Sequence, residues 1–160
     1  MSSLQANIWV KGVLATDKAQ RGKAVQAAVV MDIPEGYHVN SSKPLGKYAI
    51  PTVVEITAPS GVKEMGPVTY PRAVVKRYKF SEEQLAVYEG RAVMRFNLTV
   101  PADQALGSAD LRVRVRYQSC TDEVCFAPAS REVSVPIEVV GATDPVKRVN
   151  AAYFAAKARS

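Results

Sequence analysis

Hydrophobic and polar residues alternate with a period of two along several segments of the chain. In the clearest one, residues 111–117, apolar side chains take the odd positions and three arginines take the even ones. Residues 92–100 and 133–139 follow the same pattern. Alternation of this kind is typical of antiparallel strands that bury one face and expose the other. These segments therefore predict three half-buried strands.

Further strand candidates lie at residues 8–14, 23–33 and 52–58, with turn sequences at 32–36 and 58–61. Seven or so short strands with such punctuation predict an all-β fold, a two-sheet sandwich. Pro136 interrupts the last strand, and since proline cannot donate to a ladder, we expect an edge or a bulge there. The stretch from 61 to 88 is only weakly patterned.

The C-terminus is the one segment that predicts a helix. Thr143 or Asp144 is suited to cap it and Pro145 to occupy its first turn, and one face would carry Val146, Val149, Tyr153 and Phe154. We therefore expect one domain over residues 1–142, followed by a C-terminal helix or linker over 143–160.

The charge of the chain is moderately basic, with 21 Lys and Arg against 15 Asp and Glu. The basic residues are scattered and have no interleaved aromatic run, so we expect no nucleic-acid partner. No stretch approaches the roughly 18 apolar residues of a membrane span, and the first residues lack the regions of a secretory signal.

Cys120 and Cys125 are the only cysteines. In an extended strand their Cα atoms would lie about 17 Å apart, so a bond between them requires a turn, which residues 121–124 can supply between two strands. A disulfide closing so short a loop stabilises by only about 2 kcal/mol. Spacing alone leaves several interpretations open: redox exchange, a local structural disulfide, metal binding, or two unrelated thiols. With His38 the chain has at most three soft ligands, one short of a closed zinc site, although copper remains open.

The segment Tyr117 to Pro128, YQSCTDEVCFAP, resembles the "YQGC…C(Y/F)xP" segment of the N-terminal periplasmic domain of the thiol:disulfide interchange protein DsbD. Residues 36–40 (GYHVN) are similar to an early motif of that family. Tyr70-Pro71, Phe80-Ser81 and residues 87–90 (VYEG) are similar to its middle section. The resemblance spans most of the chain, and the spacer between the cysteines is one residue shorter than in well-known members.

The resemblance implies an immunoglobulin-like domain that works in the periplasm as a protein-disulfide reductase. Such a domain receives electrons from a membrane-embedded domain and passes them to thioredoxin-fold proteins, such as disulfide isomerases or cytochrome c maturation factors. We expect a monomer whose leader is absent from this sequence. No organic cofactor or metal is expected, because the disulfide itself carries the two electrons.

The resemblance also implies roles for individual residues. Cys120 and Cys125 would be the catalytic pair, with Cys125 the one joined to partners. Phe80 is the best match to an aromatic residue on a cap loop that shields the cysteines, although it could instead pack in a core. Tyr78 or Tyr70 could serve in its place.

Further neighbours of the cysteine pair are expected from the same motifs, namely His38, Asn40, Tyr117 and Phe126. At His38 and Asn40 the family often has aromatic residues, so this chain departs from the pattern. A histidine near a cysteine could favour the thiolate, or it could be an ordinary surface or hydrogen-bonding residue. Two further sets of charges lie near the site. Asp122 and Glu123 would oppose formation of the thiolate by like-charge repulsion. A basic group would either steer acidic partners or simply be solvated, and it consists of Arg72, Lys76, Arg77 and Lys79.

Two alternatives from other functional classes stay open at this point. The domain could be a non-enzymatic adhesion or assembly module in which a short disulfide only rigidifies a hairpin. It could also be a periplasmic copper-binding domain that uses Cys120, Cys125 and His38.

Overall fold

A computed structural model describes residues 8–155 and contains twelve strands in this part of the chain. They are β1 (Trp9–Leu14), β2 (Ala19–Gln20), β3 (Ala24–Asp32), β4 (His38–Asn40), β5 (Val53–Thr57), β6 (Lys63–Thr69), β7 (Val74–Arg77), β8 (Gln84–Tyr88), β9 (Arg91–Thr99), β10 (Gly107–Tyr117), β11 (Ser119–Cys120) and β12 (Ala129–Val140). All six predicted strands are present, as β1, β3, β5, β9, β10 and β12.

Two four-stranded sheets, in the orders β1-β3-β9-β6 and β2-β12-β10-β5, form the sandwich. The alternating residues of β9, β10 and β12 bury one face of each strand, and their inward side chains join one apolar cluster with those of β3. Burial of such a shared apolar face is what holds two sheets together. The predicted immunoglobulin-like two-sheet sandwich is confirmed.

Gly12 marks the place where β1 comes closest to the opposite sheet. A Cβ atom at this position would collide with the Cγ2 methyl of Val135 on β12 and would lie 3.5 Å from that of Val133. Only glycine therefore allows the two strands to approach so closely.

Pro136 lies where β12 has a single neighbour. The strand pairs with β10 along its whole length without a register shift, whereas β2 pairs only with Val139 and Val140. Of the two expectations for this proline, the edge is confirmed and the bulge is not found.

A third sheet has the order β11-β4-β8-β7. Its strands β7 and β8 come from the weakly patterned stretch 61–88. One face joins the main core through Val39 and Tyr88. The other face carries a small separate apolar cluster of Tyr78, Leu85 and Val87. This second face supports the cysteine pair.

The prediction of a helix that begins at Thr143 or Asp144 is wrong within the described residues. The backbone of 147–149 hydrogen-bonds to residues around the end of β1, as Asp17 N donates to Lys147 O (3.0 Å) and Val149 N to Ala15 O (2.9 Å). Because these groups bond to another segment, they cannot form a helical ladder, and only a 3-10 turn follows at Ala151–Tyr153. The domain boundary at 142 stays a prediction, and residues 1–7 and 156–160 lie outside the described part.

Within residues 8–155, no helix has the length and apolar character needed to cross a bilayer.

Candidate redox site

The two cysteines are joined by a disulfide in the connection between β10 and β12. Their Cα atoms lie 4.0 Å apart, and the predicted turn brings them together. Thr121 N donates to Val124 O (2.8 Å), while the Thr121 hydroxyl oxygen accepts from the backbone N–H groups of Glu123 and Val124, both at 3.2 Å. Threonine favours such a turn because its hydroxyl can satisfy nearby backbone donors.

The two bonded cysteines differ sharply in their exposure to solvent. Cys120 lies on β11 beside β4 and is 1% exposed, whereas Cys125 is exposed. An incoming thiolate must reach a sulfur along the axis of the disulfide, so access decides which sulfur is attacked. The exposed position of Cys125 makes it the accessible end of the bond.

Hydrogen bonds close the base of the cysteine turn independently of the disulfide. Phe126 N donates to Ser119 O (2.9 Å), and Gln118 Nε2 donates to Phe126 O (3.1 Å). Asn40 Nδ2 donates to Gln118 Oε1 (3.4 Å) and to Ile50 O (2.9 Å). These bonds do not involve sulfur, so they favour a closed turn in the reduced protein as well. Gln118 was not among the predicted site residues, because its contacts depend on the geometry of the turn.

His38 lies directly opposite Cys120 in the β4–β11 pair and is 2% exposed. Its ring stacks on Tyr78 with a centroid distance of 4.1 Å, and its Nε2 atom is buried without a hydrogen-bond partner. Burial lowers the pKa of His38, and although the carboxylates of Glu89 and Asp122 act in the opposite direction, the net direction is downward. The imidazole is therefore held neutral. The alternative that His38 is an ordinary surface residue is wrong.

Tyr78, Glu89 and Lys76 form a polar chain at the outer side of the His38 ring. The Tyr78 hydroxyl donates to Glu89 Oε2 (3.2 Å), which also accepts from Lys76 Nζ (2.8 Å). The hydrogen bond from Lys76 is the main reason why the pKa of Glu89 is lowered, while burial and the Glu89 carboxylate raise the pKa of Tyr78. Sequence analysis missed Glu89, because its partners become neighbours only through the register of β7 and β8.

Residues 78–83 connect β7 to β8 and form a loop, here called the cap loop, beside the disulfide. Ser81 N donates to Tyr78 O (3.1 Å) within it. Phe80 is half-buried, stacks on Tyr78 at 5.6 Å and lies 6.2 Å from His38 between ring centroids. Phe80 and Cys125 line the same open cavity of about 270 Å³. Phe80 thus borders the accessible sulfur without enclosing it.

An ion pair connects the cap loop to the cysteine turn. Lys79 Nζ lies 3.5 Å from Glu123 Oε2, and both side chains are more than two-thirds exposed, at 72% and 71%. Pairs this exposed contribute little, about 0–1 kcal/mol. This ion pair therefore holds the cap loop to the cysteine turn only weakly.

The remaining predicted neighbours, and the shield candidate Tyr70, belong to different parts of the fold. Phe126 is half-buried and stacks on Tyr37 at 6.3 Å, whereas Tyr117 is 3% exposed and belongs to the main core. Tyr70 lies beside β5, where its hydroxyl accepts a hydrogen bond from Val54 N (2.9 Å). Of the three aromatic residues considered for a shield, only Phe80 and Tyr78 lie on the cap loop.

The basic group near the cap loop is partly neutralised. Lys76 and Lys79 each pair with a carboxylate, and the other members, Arg72 and Arg77, are exposed. Among residues 8–155, no three His, Cys, Asp or Glu side chains are grouped so that they could hold a metal ion.

Comparison with known proteins agrees with this site. The family model described as "Thiol:disulfide interchange protein DsbD, N-terminal" matches residues 11–137. No curated protein sequence matches the chain significantly.

Two solved structures with similar folds are domains of the same kind. The reduced N-terminal domain of DsbD from Neisseria meningitidis has a TM-score of 0.50 at 18% identity, over 81% of this chain and 85% of that one. The N-terminal periplasmic domain of ScsB from Proteus mirabilis has a TM-score of 0.55 at 12% identity, over 91% of this chain but only 50% of that one.

The fold alone does not specify this activity. BcpA, the major pilin subunit of Bacillus cereus, also has a similar fold, with a TM-score of 0.51 at 9% identity over 84% of this chain and 40% of that one. Because one fold can serve unrelated functions, the assignment rests on the family match together with the paired cysteines. The chain belongs to the family of N-terminal domains of the thiol:disulfide interchange protein DsbD, and it is a thiol-disulfide interchange domain with a cysteine pair.

Proposed function

We propose that the Cys120–Cys125 pair relays two electrons from a membrane-embedded donor domain to thioredoxin-fold partner proteins in the periplasm. The observation that carries this proposal is the inequality of the two sulfurs, one exposed at a cavity and the other buried behind it. A disulfide with one accessible end can be opened and closed by an outside thiol, whereas a structural staple gains nothing from access.

In the forward reaction the thiolate of reduced Cys125 attacks a disulfide of the partner. A mixed disulfide forms between Cys125 and the partner, and the partner's other cysteine leaves as a thiolate. Cys120 then attacks the Cys125 sulfur, which re-forms the internal disulfide and releases the partner's second thiolate. The partner gains two electrons and this domain loses two. The donor domain reverses these steps and recharges the pair.

The cap loop would regulate access to Cys125. Phe80 borders the same cavity as Cys125, and the rest of the loop is fastened by the Tyr78–Glu89 hydrogen bond and the exposed Lys79–Glu123 pair. We assign Phe80 the role of a movable shield that a docking partner displaces. His38, Asn40 and Phe126 would help to position the cysteine pair. His38 lies opposite Cys120, Asn40 bonds to Gln118, and Phe126 bonds through its backbone to Ser119.

The chain would therefore act as a protein-disulfide reductase, monomeric and without a metal or organic cofactor, since the disulfide holds the electrons. Its periplasmic location is inferred from family membership.

Two matched variants test the assignment. Cys120→Ser keeps the exposed thiol and removes the resolving one, while Cys125→Ser does the opposite. Each reduced variant is incubated with a thioredoxin-fold protein of the periplasm whose second active-site cysteine is replaced by serine and whose first carries a thionitrobenzoate disulfide. Thionitrobenzoate then leaves as the mixed disulfide forms, and the complexes are identified on non-reducing gels and by peptide mapping. We expect a stable complex through Cys125 with the first variant and little with the second. Capture mainly through Cys120, or by neither variant, would refute the assignment.

A further inference from the structure

His38 is a buried polar residue whose hydrogen-bonding capacity is not satisfied in the oxidised protein. Its Nε2 atom is buried and has no hydrogen-bond partner in the described residues, although nearly all buried polar atoms in proteins have one. An unpaired polar atom of this kind destabilises the folded protein, because it has lost its hydrogen bonds to water without replacement. The ring of His38 packs against Tyr78, but its Nε2 atom makes no hydrogen bond in the oxidised protein, which points to a partner that another state of the site provides.

The strand register of the third sheet indicates that Cys120, once reduced, can become the hydrogen-bond partner of His38. Cys120 is the residue directly opposite His38 in the antiparallel β4–β11 pair. Residues paired in this way point to the same face, with Cβ atoms about 4.5–5.5 Å apart. Reduction of the disulfide leaves a thiol on Cys120, which is the nearest new hydrogen-bonding group on this face.

Resting on the proposed function, we propose that His38 is the general base that takes the proton from the Cys120 thiol when Cys120 resolves the mixed disulfide. The reactants are the Cys120 thiol, neutral His38 and the bond between Cys125 and the partner's sulfur. The products are the Cys120–Cys125 disulfide, protonated His38 and the partner's thiolate. The S–H bond and the bond between Cys125 and the partner's sulfur break, and the internal S–S and N–H bonds form. The electron pair of the broken S–S bond leaves with the partner's thiolate, which completes the two-electron reduction of the partner over the two steps.

The buried position of Cys120 makes such a base necessary. The thiolate is the nucleophile in exchange, and an apolar buried site disfavours it. Asp122, two residues along the turn, would oppose a thiolate further, and exposed Cys125 needs no such help. A base inside the site removes the proton only at the moment of attack, so no buried thiolate has to persist.

The groups around His38 suit a base that is neutral at rest and stabilised once it is protonated. They are Cys120 on β11, Asp122 on the cysteine turn, Glu89 after β8, Lys76 on β7 and Tyr78 on the cap loop. Burial lowers the pKa of His38 and keeps it neutral, while Glu89 and Asp122 favour its charged form. His38 also lines an outer cavity with Tyr78, Glu89 and Asp122, through which the proton can leave to solvent.

The test follows both exchange steps in one reaction. The reduced chain is mixed with excess 4,4′-dithiodipyridine, and the release of thiopyridone is followed by stopped-flow absorbance. The first thiopyridone reports attack by Cys125, and the second reports resolution by Cys120. His38→Phe keeps an aromatic ring against Tyr78 but has no base, and His38→Gln keeps polarity without basicity. Retained thermal unfolding transitions confirm that both variants fold.

At pH 7 we expect the first phase of each variant to stay within about twofold of the native chain. The second phase should slow by at least about tenfold, since a positioned base contributes about 10²- to 10⁴-fold. Above about pH 10, where thiols ionise without assistance, the second phases should converge. A merely structural role would slow the second phase equally at every pH.

The outcomes separate this inference from the proposed function. An unchanged second phase at pH 7 in His38→Phe, or a slowing that persists undiminished at high pH, overturns the role of His38 and leaves the relay intact. A native chain that shows no second phase would overturn the relay itself, and the inference with it.

Discussion

Replacing Phe80 with alanine should open the approach to the disulfide. The ring of Phe80 stacks on Tyr78 at 5.6 Å and lies 6.2 Å from His38. Aromatic pairs contribute about 0.5–1.5 kcal/mol each beyond buried area. Phe80 is only half-buried, and His38 is the more distant of its two ring partners. We therefore expect the substitution to remove about 1–1.5 kcal/mol of the free energy that holds the cap loop closed. This corresponds to a five- to tenfold larger open population, roughly.

The assay is the rate at which dithiothreitol reduces the Cys120–Cys125 disulfide in the oxidised chain. We expect Phe80→Ala to raise this rate about five- to tenfold, since only the open form admits the thiolate in line with the bond. Phe154→Ala is the matched control, because Phe154 is also half-buried but lies in the C-terminal segment beside a cavity that contains neither cysteine. An unchanged rate in Phe80→Ala, or an equal rise in the control, would refute the role of Phe80 as a cover.

Three further predictions concern the stability of the scaffold, each measured by urea unfolding of the oxidised chain. Gly12→Ala should destabilise by about 1–3 kcal/mol, because the new methyl group overpacks against Val135; an unchanged midpoint would contradict the close approach of β1. Asn40→Ala should lower the free energy of unfolding by about 1–3 kcal/mol, because the hydrogen bond from Asn40 to Ile50 O is lost. The control Asn97→Ala, at an exposed position, should change it by no more than about 0.5 kcal/mol. Equal effects of the two substitutions would contradict the role of Asn40. The lowered pKa of His38 means that below pH 6.5, the ordinary value, the unfolded chain takes up a proton that the folded chain resists. Stability should therefore fall more between pH 7 and pH 5 in the native chain than in His38→Phe, and identical pH profiles would contradict this.

The sequence predicted the strands that have one buried and one exposed face. β9, β10 and β12 alternate in burial, and their alternation in hydrophobicity is a direct consequence. β8 was missed because Leu85 to Tyr88 are all buried, so no alternation exists. β7 was missed for the opposite reason, since this edge strand is exposed along its whole length.

The C-terminal segment shows how a correct pattern can accompany a wrong element. The partly buried residues of this segment are Val146, Val149, Tyr153 and Phe154, as the pattern predicted. Val146 and Val149 lie outside any helix, however, and Tyr153 and Phe154 lie at the end of a short 3-10 turn. The backbone of 147–149 finds partners near the end of β1, and Asn150 Nδ2 donates to Leu14 O (2.8 Å). Tertiary hydrogen bonds replaced those of a helix, and periodicity alone carries no information about such partners.

The candidate site was predictable as far as its residues share a local motif. The cysteine turn was inferred from spacing, because two cysteines five residues apart can bond only across a turn. The burial of His38 and its position opposite Cys120 were not predictable. They depend on the pairing of β4 with β11, between residues about 80 positions apart in the chain.

A redox titration of the native chain measures whether the Cys120–Cys125 pair exchanges electrons or is a structural bond. Thiol trapping in dithiothreitol and glutathione buffers measures the fraction of the Cys120–Cys125 pair that is reduced at each potential. An exchanging pair should titrate at a potential less negative than about −300 mV, with full and reversible interconversion. A pair that stays oxidised well below about −300 mV would be a structural disulfide and would contradict the proposed relay.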